Sequence, residues 1–183
     1  MVLDKFKCYF CLNLKKINDM KKIFIITFFI IGSFAINAQG SSVSEQAKQL
    51  NWHTDVREAI AVSNKEKKPL LMFFTGSDWC GWCIRLQNEV LKTAEFQKWA
   101  AENVILVELD YPRRTAQTPE LKNQNAELQQ AFGIQGFPTV YFTSAESKDG
   151  KVNFKGLGQT GYVAGGPKAW LAVADGIIKS QKM

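Results

Sequence analysis

Leu70-Leu71-Met72-Phe73-Phe74-Thr75-Gly76-Ser77-Asp78-Trp79-Cys80-Gly81-Trp82-Cys83 is the stretch that decides the fold. It opens with five apolar residues in succession, the pattern of a strand buried on both faces inside an α/β sheet. From Gly81 to about Leu91 the spacing becomes that of an amphipathic helix. Cys80 therefore stands at a strand-to-helix turn, where unsatisfied backbone N–H groups and the helix dipole favour an anion. A thiolate forms there more readily than in a free cysteine, and the thiolate is the reactive species. Two cysteines at this spacing in this context are the parts of a dithiol/disulfide switch.

Upstream, Asp55 caps a helix that has Glu58 in its first turn and an apolar face of Val56, Ala59 and Ile60. That helix runs to about Lys65, and the charged stretch Lys65 to Lys68 before Pro69 stops it. Downstream, the cysteine helix breaks near Lys92-Thr93, and a second stretch with Phe96, Trp99 and Ala100 runs to Ala101. Val104 to Leu109 reads as a strand, and Tyr111 to Thr118 as a loop carrying Pro112, Arg113 and Arg114. Thr118-Pro119 starts a helix with Leu121, Leu128, Ala131 and Phe132 on one stripe, stopped at Gly133. Pro138 to Thr143 and Val152 to Lys155 flank Asp149-Gly150, a hairpin turn signal. Gly165-Gly166-Pro167 leads into a last helix with Trp170, Leu171, Ala174, Ile177 and Ile178 inward. The order α, β, α, β, α, β, β, α predicts an α/β fold with a mixed central sheet and helices on both faces.

The N-terminus stands apart. Met20-Lys21-Lys22, the apolar run Ile23 to Ile31 and the small residues ending at Ala38 have the form of a secretory signal. The run is too short for the roughly 20 residues of a spanning helix. Cleavage after Ala38 removes residues 1–38, whose signal core is 20–38; 39–53 then form a Ser- and Gln-rich leader, and 54–183 the folded domain. Residues 1–19 precede the natural start of the signal. Cys8 and Cys11 there repeat the two-residue spacing without the strand-then-helix context, and are read as functionally empty. The whole chain of 183 residues has 23 Lys and Arg against 17 Asp and Glu, a formal +6. Six of the lysines and two of the aspartates lie in 1–38, so 17 basic and 15 acidic residues remain, or +2. The basic balance belongs to the discarded end and argues for neither nucleic acid nor membrane binding. Export with a single close-spaced cysteine pair fits a redox site better than a disulfide scaffold.

With these residues in view, the chain resembles the thioredoxin superfamily over roughly residues 55–180. The resemblance rests on Trp79-Cys80-Gly81-Trp82-Cys83 after a strand, on Gly136-Phe137-Pro138-Thr139 opening a later strand, and on the element order. It implies a thioredoxin-like fold in which Cys80 attacks a substrate disulfide and Cys83 resolves the mixed disulfide. Residues i and i+3 of a first helical turn share a face, near enough for an S–S bond to open and close with little backbone movement. Pro138 matches the family's cis-proline beside the pair, leaving the Phe137 backbone free to pair with an extended substrate. Trp79, Gly81 and Trp82 would complete the substrate-binding surface.

Two departures stand out. The buried Asp that the family carries six residues before the first cysteine is here Phe74. Glu108 and Asp110 are the substitute candidates for proton acceptor of the resolving thiol, although solvated surface charges are the preferred reading of both. The dipeptide between the cysteines is Gly-Trp, with no cation between the sulfurs and Arg85 directed further along the helix. The loop with Arg113 and Arg114 is read as an ordinary solvated one. The resulting expectation is an exported thiol–disulfide oxidoreductase, periplasmic or secreted, monomeric, of reducing or intermediate potential. It would act on protein disulfides, draw electrons from a membrane-bound donor and use no cofactor beyond its own disulfide. The alternatives are a non-catalytic binding module of the same fold and a dithiol metal handler. The single histidine, His53, is not placed near the pair, and no metal site is expected.

Overall fold

The computed structural model describes residues 50–148 and 151–180. The signal segment, the cleavage point at Ala38, Cys8 and Cys11, most of the leader and the Asp149-Gly150 turn lie outside the described residues.

Five strands form one sheet in the order β1 (Trp52–His53), β3 (Ile105–Asp110), β2 (Leu70–Thr75), β4 (Thr139–Lys148), β5 (Lys151–Thr160). β1 and β2 run parallel to β3, while β4 is antiparallel to both β2 and β5. The sheet is mixed, as the element order requires. All six residues of β2 are buried, so the apolar run lies at the centre of the sheet.

Alternation along β2 sends side chains to two separate cores. Leu70, Met72 and Phe74 pack with Val56, Ala59 and Ile60 of α1 (Val56–Glu66) and with Leu128 of α4 (Pro119–Ala131). Leu71 and Phe73 face the other way, into the cluster that contains Cys80 and Cys83. This second core is closed by α2 (Gly81–Leu86), α3 (Ala94–Asn103) and α5 (Gly166–Lys179). Its centre is Trp170, fully buried against Phe96, Trp99 and Phe142.

The caps follow the side chains. Asp55 accepts from the Arg57 N–H, Thr93 from Phe96, and Thr118 from Leu121. The cysteine helix continues from Leu86 into a π-helical turn, Gln87–Leu91, before Thr93 opens α3.

Three features differ from the sequence expectation. β1 is an added two-residue edge strand. In the β4–β5 hairpin, β4 runs on past Thr143 to Lys148 and β5 past Lys155 to Thr160, and the part near the turn pairs polar residues such as Glu146 with Asn153. The third concerns Phe74. Spacing from Cys80 lands on Phe74, yet its side chain lies on the face away from the cysteines. Phe73 holds the cysteine side, so that face also lacks a β2 carboxylate.

Candidate active site

The turn between β2 and α2 is held from both sides. Asp110, at the end of β3, accepts from the Ser77 N–H at 2.8 Å and from Ser77 Oγ at 2.6 Å. Asp78 reaches across to the loop after β3 and accepts from the backbone N–H groups of Arg113, Arg114 and Thr115 at 2.7–3.1 Å. The hydrogen bond from the Arg113 N–H leads the causes that hold the Asp78 carboxyl below its usual range. The Trp79 indole N–H donates to the Tyr111 carbonyl at 2.8 Å. Gly76 makes room for that indole: a Cβ at position 76 would lie 2.5 Å from the Trp79 ring.

Cys80 is the N-cap of α2. Its sulfur is bonded to that of Cys83 and accepts the Cys83 N–H at 3.2 Å. The two cysteines differ in access, with Cys80 7% exposed and Cys83 fully buried. Trp82 between them is 56% exposed. The Phe137–Pro138 peptide bond is cis. Phe137 sets its ring edge-on to Trp79, with centroids 5.9 Å apart, and lies tilted against Tyr111 at 5.0 Å. Gly81 faces open space. Trp79, Cys80, Gly81, Trp82 and Phe137 thus come together around the disulfide.

Three sequence readings are corrected here. The Arg113–Arg114 loop is not merely solvated: Asp78 fixes its backbone, and the Arg113 guanidinium lies 3.8 Å from the Trp79 ring centroid. Arg85 does not simply point along the helix. Its guanidinium lies over Trp82 at 5.3 Å and over Tyr162 at 5.0 Å, held by Glu89 at 2.7 Å, which also accepts from the Tyr162 hydroxyl. Each active-site tryptophan therefore carries a cation on its face. The Arg113–Trp79 and Tyr162 contacts join residues far apart in the chain, whereas Trp82, Arg85 and Glu89 stand at helix-face spacings that the sequence carries.

Glu108 and Asp110 are both half-buried rather than solvated. Asp110 is committed to Ser77. Glu108 pairs in register with Phe73 and so shares the cysteine face. It lines a cavity of about 300 Å³ with Trp52, Phe73, Gln87, Leu91 and Lys92. Burial, with the Asp110 charge second, pushes its carboxyl above the usual range.

His53 sits on edge strand β1 and contacts Asn51. Among the described residues no group of three or more His, Cys, Asp or Glu is placed to hold a metal ion. The chemistry the site can perform is two-electron exchange between its own sulfur pair and another.

The comparisons with known proteins agree with this geometry. A family described as a thioredoxin-like domain matches residues 56–162. The chain is 35% identical to the disulfide bond reductase DsbH of Chlamydia pneumoniae, covering 73% of this chain and 75% of that protein. It is 28% identical to the thioredoxin-related protein DsbJ of the same organism, over 75% of this chain but only 39% of that protein. Among solved structures, one titled DsbH oxidoreductase superposes with a TM-score of 0.64 at 30% identity, covering 84% of this chain and 95% of that one. A thioredoxin from Thermus thermophilus superposes with a TM-score of 0.50 at 17% identity, covering 70% of this chain and 86% of that one, and shows the fold alone. A strand-to-helix turn carrying a close cysteine pair on a mixed sheet, with this family match and a reductase relative, leads to one conclusion: the chain belongs to the thioredoxin-like domain family and is a thiol–disulfide oxidoreductase.

Proposed function

We propose that this protein is an exported reductase of protein disulfides, released by cleavage near Ala38, monomeric, and recharged by a membrane-bound electron donor. The observation that carries the reading is the asymmetry of the cysteine pair. Cys80 caps the helix, receives an N–H hydrogen bond on its sulfur and keeps a small exposed area, 7%, next to exposed Trp82, while Cys83 has none. In this reading the reduced Cys80 thiolate attacks one sulfur of a substrate disulfide. The substrate S–S bond breaks and one substrate thiolate leaves. Cys83 then loses its proton and attacks the Cys80 sulfur, expelling the second substrate thiolate. Two electrons pass to the substrate, and Cys80–Cys83 is left oxidised. Trp79, Trp82, Phe137 and Pro138 form the surface on which an extended substrate segment docks, and Gly81 leaves that surface open. The relative named a disulfide bond reductase supports the reducing direction. Export is tested by the N-terminal mass of protein from its native host, where a species retaining Met1 contradicts it.

Glu108 is the proposed proton acceptor for Cys83. It faces the cysteine side, its carboxyl lies above the usual range, and the cavity beside it is wide enough for water to carry the proton. Insulin-disulfide reduction with a thiol donor tests the function. Catalysed precipitation at micromolar protein is the expected result, and none would favour a non-catalytic binding module. In the same assay Glu108→Gln is expected to slow turnover by about 100-fold, the lower end for loss of general-base catalysis. Its stability should shift too. A carboxyl raised on folding contributes stability that is present below its unfolded pKa and is lost as pH rises through its folded value. The glutamine variant should therefore gain on wild type in urea near pH 8 and lose that gain near pH 4. Unchanged turnover would remove Glu108 from the site.

A further inference from the structure

Thr75 is the last residue of β2 and is fully buried. Among the described residues, its Oγ1 is the buried side-chain polar atom that has no hydrogen-bond partner. An unpaired buried hydroxyl is costly, and in a native fold it calls for an explanation.

Its position supplies one. Alternation after Leu71 and Phe73 puts Thr75 on the cysteine face. It pairs in register with Asp110 of β3 on one side. On the other side Phe74 pairs with Thr139 of β4, so the next place in that antiparallel ladder belongs to Pro138. Asp110, Thr75 and Pro138 thus form a row across the end of the sheet from which the chain turns up to Cys80.

The two sulfurs above this row are unequally served. The Cys80 sulfur has the Cys83 N–H as a donor. Among the described residues no donor is aimed at the Cys83 sulfur. The closed disulfide needs none, because its sulfur carries no charge. Once the bond opens, Cys83 must ionise in a fully buried site, which desolvation opposes. Cys80, Asp110 and Glu108 lie on its side of the sheet and a negative charge on any of them opposes it further, while Tyr162 packs against the same core and Lys92 lines the cavity beside Glu108.

We propose that the Thr75 hydroxyl becomes the hydrogen-bond donor to the Cys83 sulfur when the disulfide opens. The inference rests on the reading of Cys83 as the resolving cysteine. The oxidised protein then holds an orphan hydroxyl that the reduced protein satisfies, so Thr75 favours the dithiol form. A valine in its place removes the orphan from the oxidised state and the donor from the reduced one, and both changes favour the disulfide.

The test is equilibration of wild type, Thr75→Val and Thr75→Ser against glutathione, with alkylation to count thiols. Thr75→Val is expected to shift the equilibrium about tenfold toward the disulfide, which is a potential lower by about 30 mV. Thr75→Ser keeps the hydroxyl and should stay within about twofold of wild type on the same scale. In a Cys80→Ser background, adding Thr75→Val should raise the pH at which Cys83 thiolate absorbance appears. Where the valine variant does not fold, Thr75→Ala is read in the same way against Thr75→Ser. A hydroxyl-free variant within twofold of wild type, or one matched by serine, overturns the proposal. A wild-type potential above roughly −160 mV instead overturns the reductase reading on which it rests.

Discussion

Cys80→Ser is expected to abolish disulfide exchange, by roughly a thousandfold or more, the scale on which removal of a nucleophile acts. Cys83→Ser should behave differently. Cys80 keeps its place at the helix N-terminus, and the backbone N–H of residue 83 can still reach its sulfur. Attack therefore continues, but no second thiolate completes the exchange, and the variant accumulates as mixed disulfides. The burial difference sets the assignment, since a substrate sulfur can reach the partly open Cys80 and cannot reach Cys83. Non-reducing gels of each variant with a disulfide-bearing substrate check this. Trapped complexes with Cys80→Ser and none with Cys83→Ser would reverse the roles.

The second large effect is on stability. Trp170→Ala should destabilise the fold by about 3–5 kcal/mol, the usual cost of deleting a buried aromatic side chain. Trp170 touches the rings of Phe96, Trp99 and Phe142, and its indole N–H donates to the Gly161 carbonyl at 3.0 Å. The substitution leaves a void in the core that also packs Cys83 and Leu86 of the cysteine helix. Trp170→Phe, which keeps one ring, should cost clearly less. Urea unfolding followed by far-UV circular dichroism measures both. A loss below about 1 kcal/mol for the alanine variant, on that scale, would contradict the packing described.

The parts of the fold that were legible in the sequence are those with a local physical cause. The buried run Leu70 to Phe74, the caps at Asp55 and Thr118, and the Gly-Pro start of the last helix each impose a conformation on their own neighbours. β1 escaped because two residues carry no period, and Trp52-His53 is a strand only by pairing with Leu106 and Val107. Gly156 and Gly158 interrupt the pattern of β5 and hide its length. Both glycines are needed where they stand. A Cβ at Gly156 would meet the Tyr141 hydroxyl at 2.7 Å, and Gly158 has φ +152° beside Ile177.

The site divides in the same way. Cys80, Cys83, Trp79 and Trp82 are legible because turn, helix and spacing are contiguous. The cation on Trp79 is not, because Arg113 reaches Trp79 through a loop that Asp78 pins from 35 residues away. Counting back from Cys80 gave Phe74 for the missing aspartate. The count fails because alternation along β2 turns Phe74 to the far side of the sheet and leaves Phe73 and Thr75 toward the sulfurs.

The arginines bear on the direction of electron flow. A cation near a thiolate stabilises the reduced form and makes the pair more oxidising. Arg85 and Arg113 lie on ring faces rather than between the sulfurs, and Arg85 is already paired with Glu89. Their effect on Cys80 is therefore partial. The reduction potential of the Cys80–Cys83 pair, measured by equilibration against glutathione, tests the reductase reading most directly. A value nearer about −270 mV than about −120 mV is predicted, and one above roughly −160 mV would make the protein an oxidase instead.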